Sequence, residues 1–191
     1  MLTATDLYSL EEYSRQRPDF RTRALAHRKA RQVPVGDHVT LSFEDRLTIQ
    51  YQIQEMLRIE KAFEADAIQD ELDAYNPLIP TGRDLCATMM IEHGDAEVRR
   101  QELVRLAGIE HRVYLHVQGH EPLFAVADED LERGDDTKTS AVHFLRWTVN
   151  DAVVASLEAG DKFIIGIDHS EYQASTEIAG TTRENLVGDF A

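Results

Sequence analysis

The sequence predicts an α+β fold: a mainly antiparallel sheet with a long helix packed on one face and an N-terminal helical arm. Three observations lead there. Apolar residues recur at helical spacing through the first third of the 191-residue chain. After residue 85 the hydrophobic period changes to two. Helical runs come first and strands later, which is the order of an α+β domain and not of alternating βαβ units.

Each element has a local reason. Ser9 and Glu12 form a capping box that opens a helix over SLEEYSRQR, and Pro18 is expected to end or kink it. DFRTRALAHRKARQ restarts the helix, with Asp19 able to cap it, and Pro34 and Gly36 break the pattern. VTLSFE (39–44) reads as a strand in which Val39, Leu41 and Phe43 alternate with Thr40, Ser42 and Glu44. Asp45 caps the long helix expected over 46–65. AIQDELDAY is a second helix or a continuation, stopped by Asn76-Pro77 and by Pro80-Thr81-Gly82. CATMMIE, RVYLHVQG, PLFAVAD, SAVHFLRWTV and KFIIGIDH read as strands, the second and third joined by a turn at GHEP. DAEVRRQELVRLAG is a helix ended by Gly108, and NDAVVASLEAG is one capped by Asn150 and ended by Gly160. The expected organisation is a helical arm over 1–36, a single α+β domain over 37–175 and a C-terminal tail over 176–191.

Composition excludes several classes. The single cysteine, Cys86, allows no intrachain disulfide and no CxxC metal pair. No run approaches the roughly 20 apolar residues of a membrane helix, and the first twenty residues lack an apolar signal core. A cytoplasmic location is the expectation. Net charge is −15, and residues 47–191 carry 12 basic against 28 acidic groups, which argues against nucleic-acid binding. The exception is RQRPDFRTRALAHRKAR (15–31), with seven basic groups and one acid. It is either a docking arm for an acidic partner or a second copy, or a solvated helix face balancing its own acidic body. GxSxG, P-loop, GxGxxG and HExxH motifs are absent.

The candidate chemistry gathers around one oddity. Ile49, Ile53, Met56 and Phe63 share a helical stripe, and Glu60 falls within it, with Glu64 one turn on at its edge. A carboxylate on the buried side must be paired, protonated or bound to a cation. Arg58 points to nearly the opposite side of the helix. On the later strands, His143 shares a face with Leu145 and Trp147, and His169 with Ile165 and Ile167, while Arg146 lies on the other face of its strand. Glu60, Glu64, His143 and His169 are therefore expected to meet, with Arg146, Asp168 or Arg58 as supporting or anion-binding groups. Such a set suits iron, manganese or zinc, metal-free acid–base chemistry on a small anion, or a structural ion pair. Tyr75, Asn76 and Arg83, on a proline-stiffened stretch, are a candidate pocket rim or an ordinary connection. The acidic run 128–136 departs from an EF-hand loop and reads as a solvated loop.

Four segments, FEDRLTIQYQIQEMLRIEKAFE, IQDELDAYNPLIP, TSAVHFLRW and GIDHSEY, with the opening SLEEY, resemble an uncharacterised bacterial family of about this length. The resemblance runs from about residue 5 to 172. Genes of that family often stand beside those of a rubrerythrin-like di-iron protein and a heterodisulfide-reductase-type iron–sulfur protein. The resemblance thus implies an accessory role in a redox or oxidative-stress system. The function expected from residues and resemblance together is iron binding in such a system. The alternatives are a non-catalytic protein that docks a di-iron or iron–sulfur partner or itself, and a metal-free enzyme. Whether the protein is an enzyme stays open.

Overall fold

The computed structural model describes residues 1–127 and 138–190, so the acidic run 128–136 lies outside it. In chain order the elements are α1 (Leu10–Lys29), β1 (Gln32–Val35), β2 (Val39–Phe43), α2 (Arg46–Glu60), α3 (Ala65–Tyr75), β3 (Asp84–Ile91), α4 (Ala96–Arg105), β4 (Val113–Val117), β5 (Leu123–Phe124), β6 (Val126–Ala127), β7 (Val142–Thr148), α5 (Asp151–Ala159), β8 (Phe163–His169), β9 (Tyr172–Glu177) and α6 (Gly180–Gly188). The fold is α+β, and every strand pairing is antiparallel. Two sheets stand where one was expected: β1-β2-β3-β7-β6 and β5-β4-β8-β9. Among the described residues no helix is long and apolar enough to cross a membrane.

The sheets pack face to face. Leu41, Phe43, Leu85, Met89, Leu145 and Trp147 of the first meet Leu115, Val117, Phe163, Ile165 and Ile167 of the second in one core. Successive strand residues face opposite ways, so the first sheet has a second inner face. Ser42, Cys86 and Thr88 are buried on it, and Phe144 packs there against Ile49, Ile53 and Leu57 of α2. The molecule is thus helices α1–α3, first sheet, second sheet. At the turn between β1 and β2, Gly36 has φ +73°, and a Cβ there would stand 2.5 Å from the Tyr172 hydroxyl oxygen. That hydroxyl donates to the Val35 carbonyl (2.7 Å), stitching the edge of one sheet to the other.

The arm and the tail belong to this body. Pro18 neither ends nor kinks α1 into two helices. It removes one backbone donor, and packing outweighs that loss, because Tyr13, Phe20 and Ala24 on both sides of it bury against Tyr51 of α2. Glu55 of α2 accepts from Nε and Nη2 of Arg17 (2.7 and 2.8 Å) and from the Tyr13 hydroxyl (2.7 Å). Arg17 first, against the opposing effect of burial, then Tyr13 and Arg58, hold the Glu55 carboxyl down at about 2. The basic stretch is therefore largely engaged at home: Arg15 pairs with Glu11, Arg17 with Glu55, Arg21 donates to the Tyr51 hydroxyl, and Arg23 lies over the Phe20 ring. The boundary expected after residue 175 falls inside β9, and Ile178, Leu186 and Phe190 of the expected tail are buried in the main core. Arg31, 2% exposed, pairs with Asp189 beyond α6 and lies 3.6 Å from Asp45.

Two outcomes follow from these contacts. A depressed folded pKa contributes stability that is present above the unfolded value and lost as pH falls through the folded one. Glu55→Gln is therefore expected to flatten the loss of stability between about pH 4.5 and about 2, and to cost about 1–3 kcal/mol at neutral pH because Tyr13 and Arg17 lose a charged acceptor; urea titrations across pH check both. A chain truncated after residue 175 loses the Asp189 partner of Arg31 as well as core side chains. A broken buried pair alone costs about 3–5 kcal/mol, so thermal melts of the truncated chain are expected to show no cooperative transition.

Candidate functional site

The structure does not bring the expected metal ligands together. Helix α2 ends at Glu60; Lys61 takes the left-handed conformation and the Ala62 amide closes on the Leu57 carbonyl. Phe63 thus leaves the helical stripe and is 71% exposed, and the buried stripe is Ile49, Ile53 and Leu57. Glu60 is exposed at the helix end, and Glu64 is exposed at the N-cap of α3 without a side-chain cap bond. Glu60 lies near Glu71, whose carboxyl is pushed up by burial first and then by the charges of Glu60 and Asp70.

The histidines are on the far side of the first sheet. His143 is buried with Leu145 and Trp147 on the face opposite Phe144, so the sheet stands between it and α2. Its Nε2 donates to the Ser140 carbonyl (3.0 Å) and meets the Thr139 hydroxyl (2.7 Å), which in turn donates to Glu110 (2.8 Å). His169 belongs to the second sheet. Its Nε2 donates to the Ala107 carbonyl (3.1 Å), and its Nδ1 accepts from the Glu171 amide (3.2 Å). Both of its ring nitrogens are thereby occupied. Among the described residues no group of three or more His, Cys, Asp or Glu is placed to hold a metal ion.

The supporting residues are separate too. Arg58 pairs with Glu55, Asp168 with Arg112, and Arg83 with Asp151, all at the surface. Asn76 holds the Leu2 backbone through both its amide atoms (2.7 and 2.9 Å). Arg146 pairs with Asp84 and donates to the Pro77 carbonyl. Asp84 also accepts from the Thr81 amide (2.6 Å) and hydroxyl (2.9 Å). This rivet fixes the stretch 76–84 to the sheet, and with it the position of Tyr75 and Leu78.

Those two residues help line a cavity of about 240 Å³ between α2 and the first sheet. Its apolar lining is Ile49, Leu78, Met90, Val142 and Phe144. Its polar groups come from four places: Arg28 near the end of α1, Glu44 at the end of β2, Thr88 on β3, and Gln52 on α2. Glu44 is 6% exposed. Its carboxylate accepts from the Thr88 hydroxyl (2.6 Å), and among the described residues no cation pairs with it. The Arg28 Nε is buried without an acceptor. Thr48 also faces the space, but its hydroxyl is committed to the Asp45 cap. Beside Glu44, burial first and then the charges of Glu44 and Asp189 push the Cys86 thiol up to about 12. That thiol stays protonated at neutral pH and acts as core.

Sequence reasoning named Tyr75 and passed over Arg28, Glu44 and Thr88 as site residues. A signal was present. CATMMIE carries apolar residues on both faces, Cys86 and Met90 on one and Ala87, Met89 and Ile91 on the other, as a strand covered on both sides does. Covering both faces of β3 also covers the face of β2 that carries Thr40, Ser42 and Glu44.

The chain belongs to the family described as "Protein of unknown function (DUF3501)", whose model matches residues 1–190. It is similar over its whole length to a crystal structure described as a novel protein of unknown function from Burkholderia pseudomallei K96243. The two share 48% identity and a TM-score of 0.93, and the match covers 100% of this chain and 99% of the other. A comparison with curated proteins finds no match.

The geometry separates the two kinds of residue experimentally. Glu60→Ala and Glu64→Ala are expected to change stability by less than about 0.5 kcal/mol. His143→Ala, which leaves Thr139 and the Ser140 carbonyl short of a partner, is expected to cost about 2 kcal/mol. Urea denaturation of the three variants is the check, and a large loss at Glu60 would mean that it has a buried partner after all.

Proposed function

We propose that this protein binds a small organic molecule in the cavity between α2 and the first sheet. One observation carries the reading: Glu44 is a nearly buried carboxylate that faces a cavity and, among the described residues, has a single hydroxyl donor and no cation. An ionised group in that setting is costly unless something compensates it. A concave, mostly apolar space with a few convergent polar groups is the usual form of a ligand site. The walls are held on every side, by the Asp45 cap on α2, by the Arg146–Asp84 rivet under Tyr75 and Leu78, and by the strand ladder beneath Thr88. A site of that kind is built in advance of its ligand, which lowers the ordering cost of binding. A redox setting, an iron requirement and a di-iron or iron–sulfur partner rest on the family resemblance alone.

A second reading has an observation of its own. Ile59 and Phe63 are exposed large hydrophobics at the corner between α2 and α3. A protein-docking role would use that corner, and the basic face of α1, whose cations mostly have partners within the fold, is less suited to it.

Ligand-observed NMR with a set of fragments of about ten non-hydrogen atoms tests the first reading. The set spans cationic, anionic, zwitterionic and neutral compounds. Binders are expected whose signals weaken at least tenfold less in Val142→Phe, where a ring fills the cavity. Absence of binders, or binders indifferent to Val142→Phe, overturns it.

A further inference from the structure

The cavity holds two opposite charges that do not satisfy each other. The Glu44 carboxylate has the Thr88 hydroxyl and, among the described residues, no cation. The Arg28 guanidinium makes no hydrogen bond or ion pair to the described protein, and its Nε is buried. Both residues line the same space, and they are not paired across it. Elsewhere in the fold several buried or half-buried charges find counter-charges: Arg31 has Asp189, Arg17 has Glu55, Arg146 has Asp84, though among the described residues half-buried Glu71 does not. What sets Glu44 and Arg28 apart is that two opposite charges without partners among the described residues line one space.

The charge requirement narrows the ligand. A simple amine would complete Glu44 and leave Arg28 without an acceptor. A simple carboxylate would complete Arg28 and face the uncompensated Glu44. A neutral molecule would leave both charges as they are. Only a molecule carrying both signs removes both deficits, and a desolvated polar group left without a partner is what a specific site discriminates against. The space narrows it further. A cavity of about 240 Å³ is roughly eight waters' share of liquid volume. That is room for a small organic molecule of amino-acid size. The apolar walls are Ile49, Leu78, Met90, Val142 and Phe144.

We infer that the ligand is a compact zwitterion with an apolar body, of the class of the aliphatic α-amino acids, its ammonium donating to Glu44 and its carboxylate accepting from Arg28. The inference rests on the ligand-binding reading above and adds the charge and size of the ligand. Gln52 and Tyr75, whose side chains make no hydrogen bond to the described protein, supply further polar contacts at the same lining.

Calorimetry on the full-length chain at neutral pH tests it. The probes are L-valine, L-leucine and L-methionine, with leucinamide lacking the anion, isocaproate lacking the cation and isocaproamide lacking both. The best amino acid is expected to bind at least about tenfold tighter than each of the other three, the size of one lost charged contact. Glu44→Gln, which keeps an acceptor for Thr88, is expected to abolish the advantage over isocaproate. Arg28→Gln is expected to abolish the advantage over leucinamide. Far-UV circular dichroism and melting curves confirm that both variants fold. If isocaproamide binds as tightly as the amino acids, and Val142→Phe abolishes it, the zwitterion falls and the ligand site stands. An amino-acid preference untouched by both variants overturns the assignment of the two residues. If neither these compounds nor the wider fragment set bind, both the inference and the ligand site fall.

Discussion

A buried guanidinium organises the structure around the cavity. Arg31 is almost wholly removed from water, and a charge so placed must be neutralised and hydrogen-bonded. Asp189 supplies the charge from beyond α6, the Phe43 carbonyl accepts from Nε (3.1 Å), and the Glu44 carbonyl accepts from Nη2 (3.3 Å), which also meets Asp189. Asp45 stands next along the chain, 3.6 Å away. It also meets His27 at 2.5 Å and caps α2 through the Thr48 amide at 2.9 Å. Burial acts to raise the Asp45 carboxyl, and the Thr48 amide, His27 and Arg31 together hold it below its ordinary range. One arginine thus joins the end of α1, the end of β2, the start of α2 and the C-terminal segment.

Glu44 sits between the two residues that this network holds hardest. Phe43 faces the inter-sheet core, so by the alternation of a strand Glu44 faces the other way, toward the helices. Its amide is bonded to the Cys86 carbonyl (2.8 Å) and its own carbonyl to Arg31. With the backbone so held, the carboxylate is directed at the space under α2. A residue free to turn outward would have hydrated itself. That Glu44 is held inward is the physical reason to read its missing counter-charge as a property of the site and not of a loose surface.

The sequence carried the helices and most strands because their signals are local: Ser9, Asp45 and Asn150 cap the helices expected of them, and Gly108 and Gly160 take the left-handed conformation, while Asp19 lies inside α1 and caps nothing. It failed where non-local terms decide. Pro18 is a helix breaker by propensity, and burial of Tyr13 and Phe20 on one surface overrides it. β1 contains Pro34 and β9 alternates half-buried with exposed residues. One is four residues long and the other has no fully buried residue, so neither stands out as a strand by itself, and edge pairing makes both. The division into two sheets was not legible either, because hydrophobic alternation gives a strand's faces without its neighbours.

The same limit explains the misplaced carboxylate. The stripe through Ile49, Ile53, Met56 and Phe63 assumes a helix that runs past residue 60, and the helix stops there. Drawn instead through Ile49, Ile53 and Leu57, the stripe holds no acid at all. A carboxylate does lie against the greasy side of α2, but it comes from the sheet. Facing a helix and a sheet together, Glu44 belongs to a surface that neither element defines alone, and only the register of β2 against β3, which sets Phe43 opposite Ala87 and Ser42 opposite Thr88, fixes its neighbours. Helical spacing can propose which side of one element is buried. Which charge ends up buried with it depends on the element that covers it.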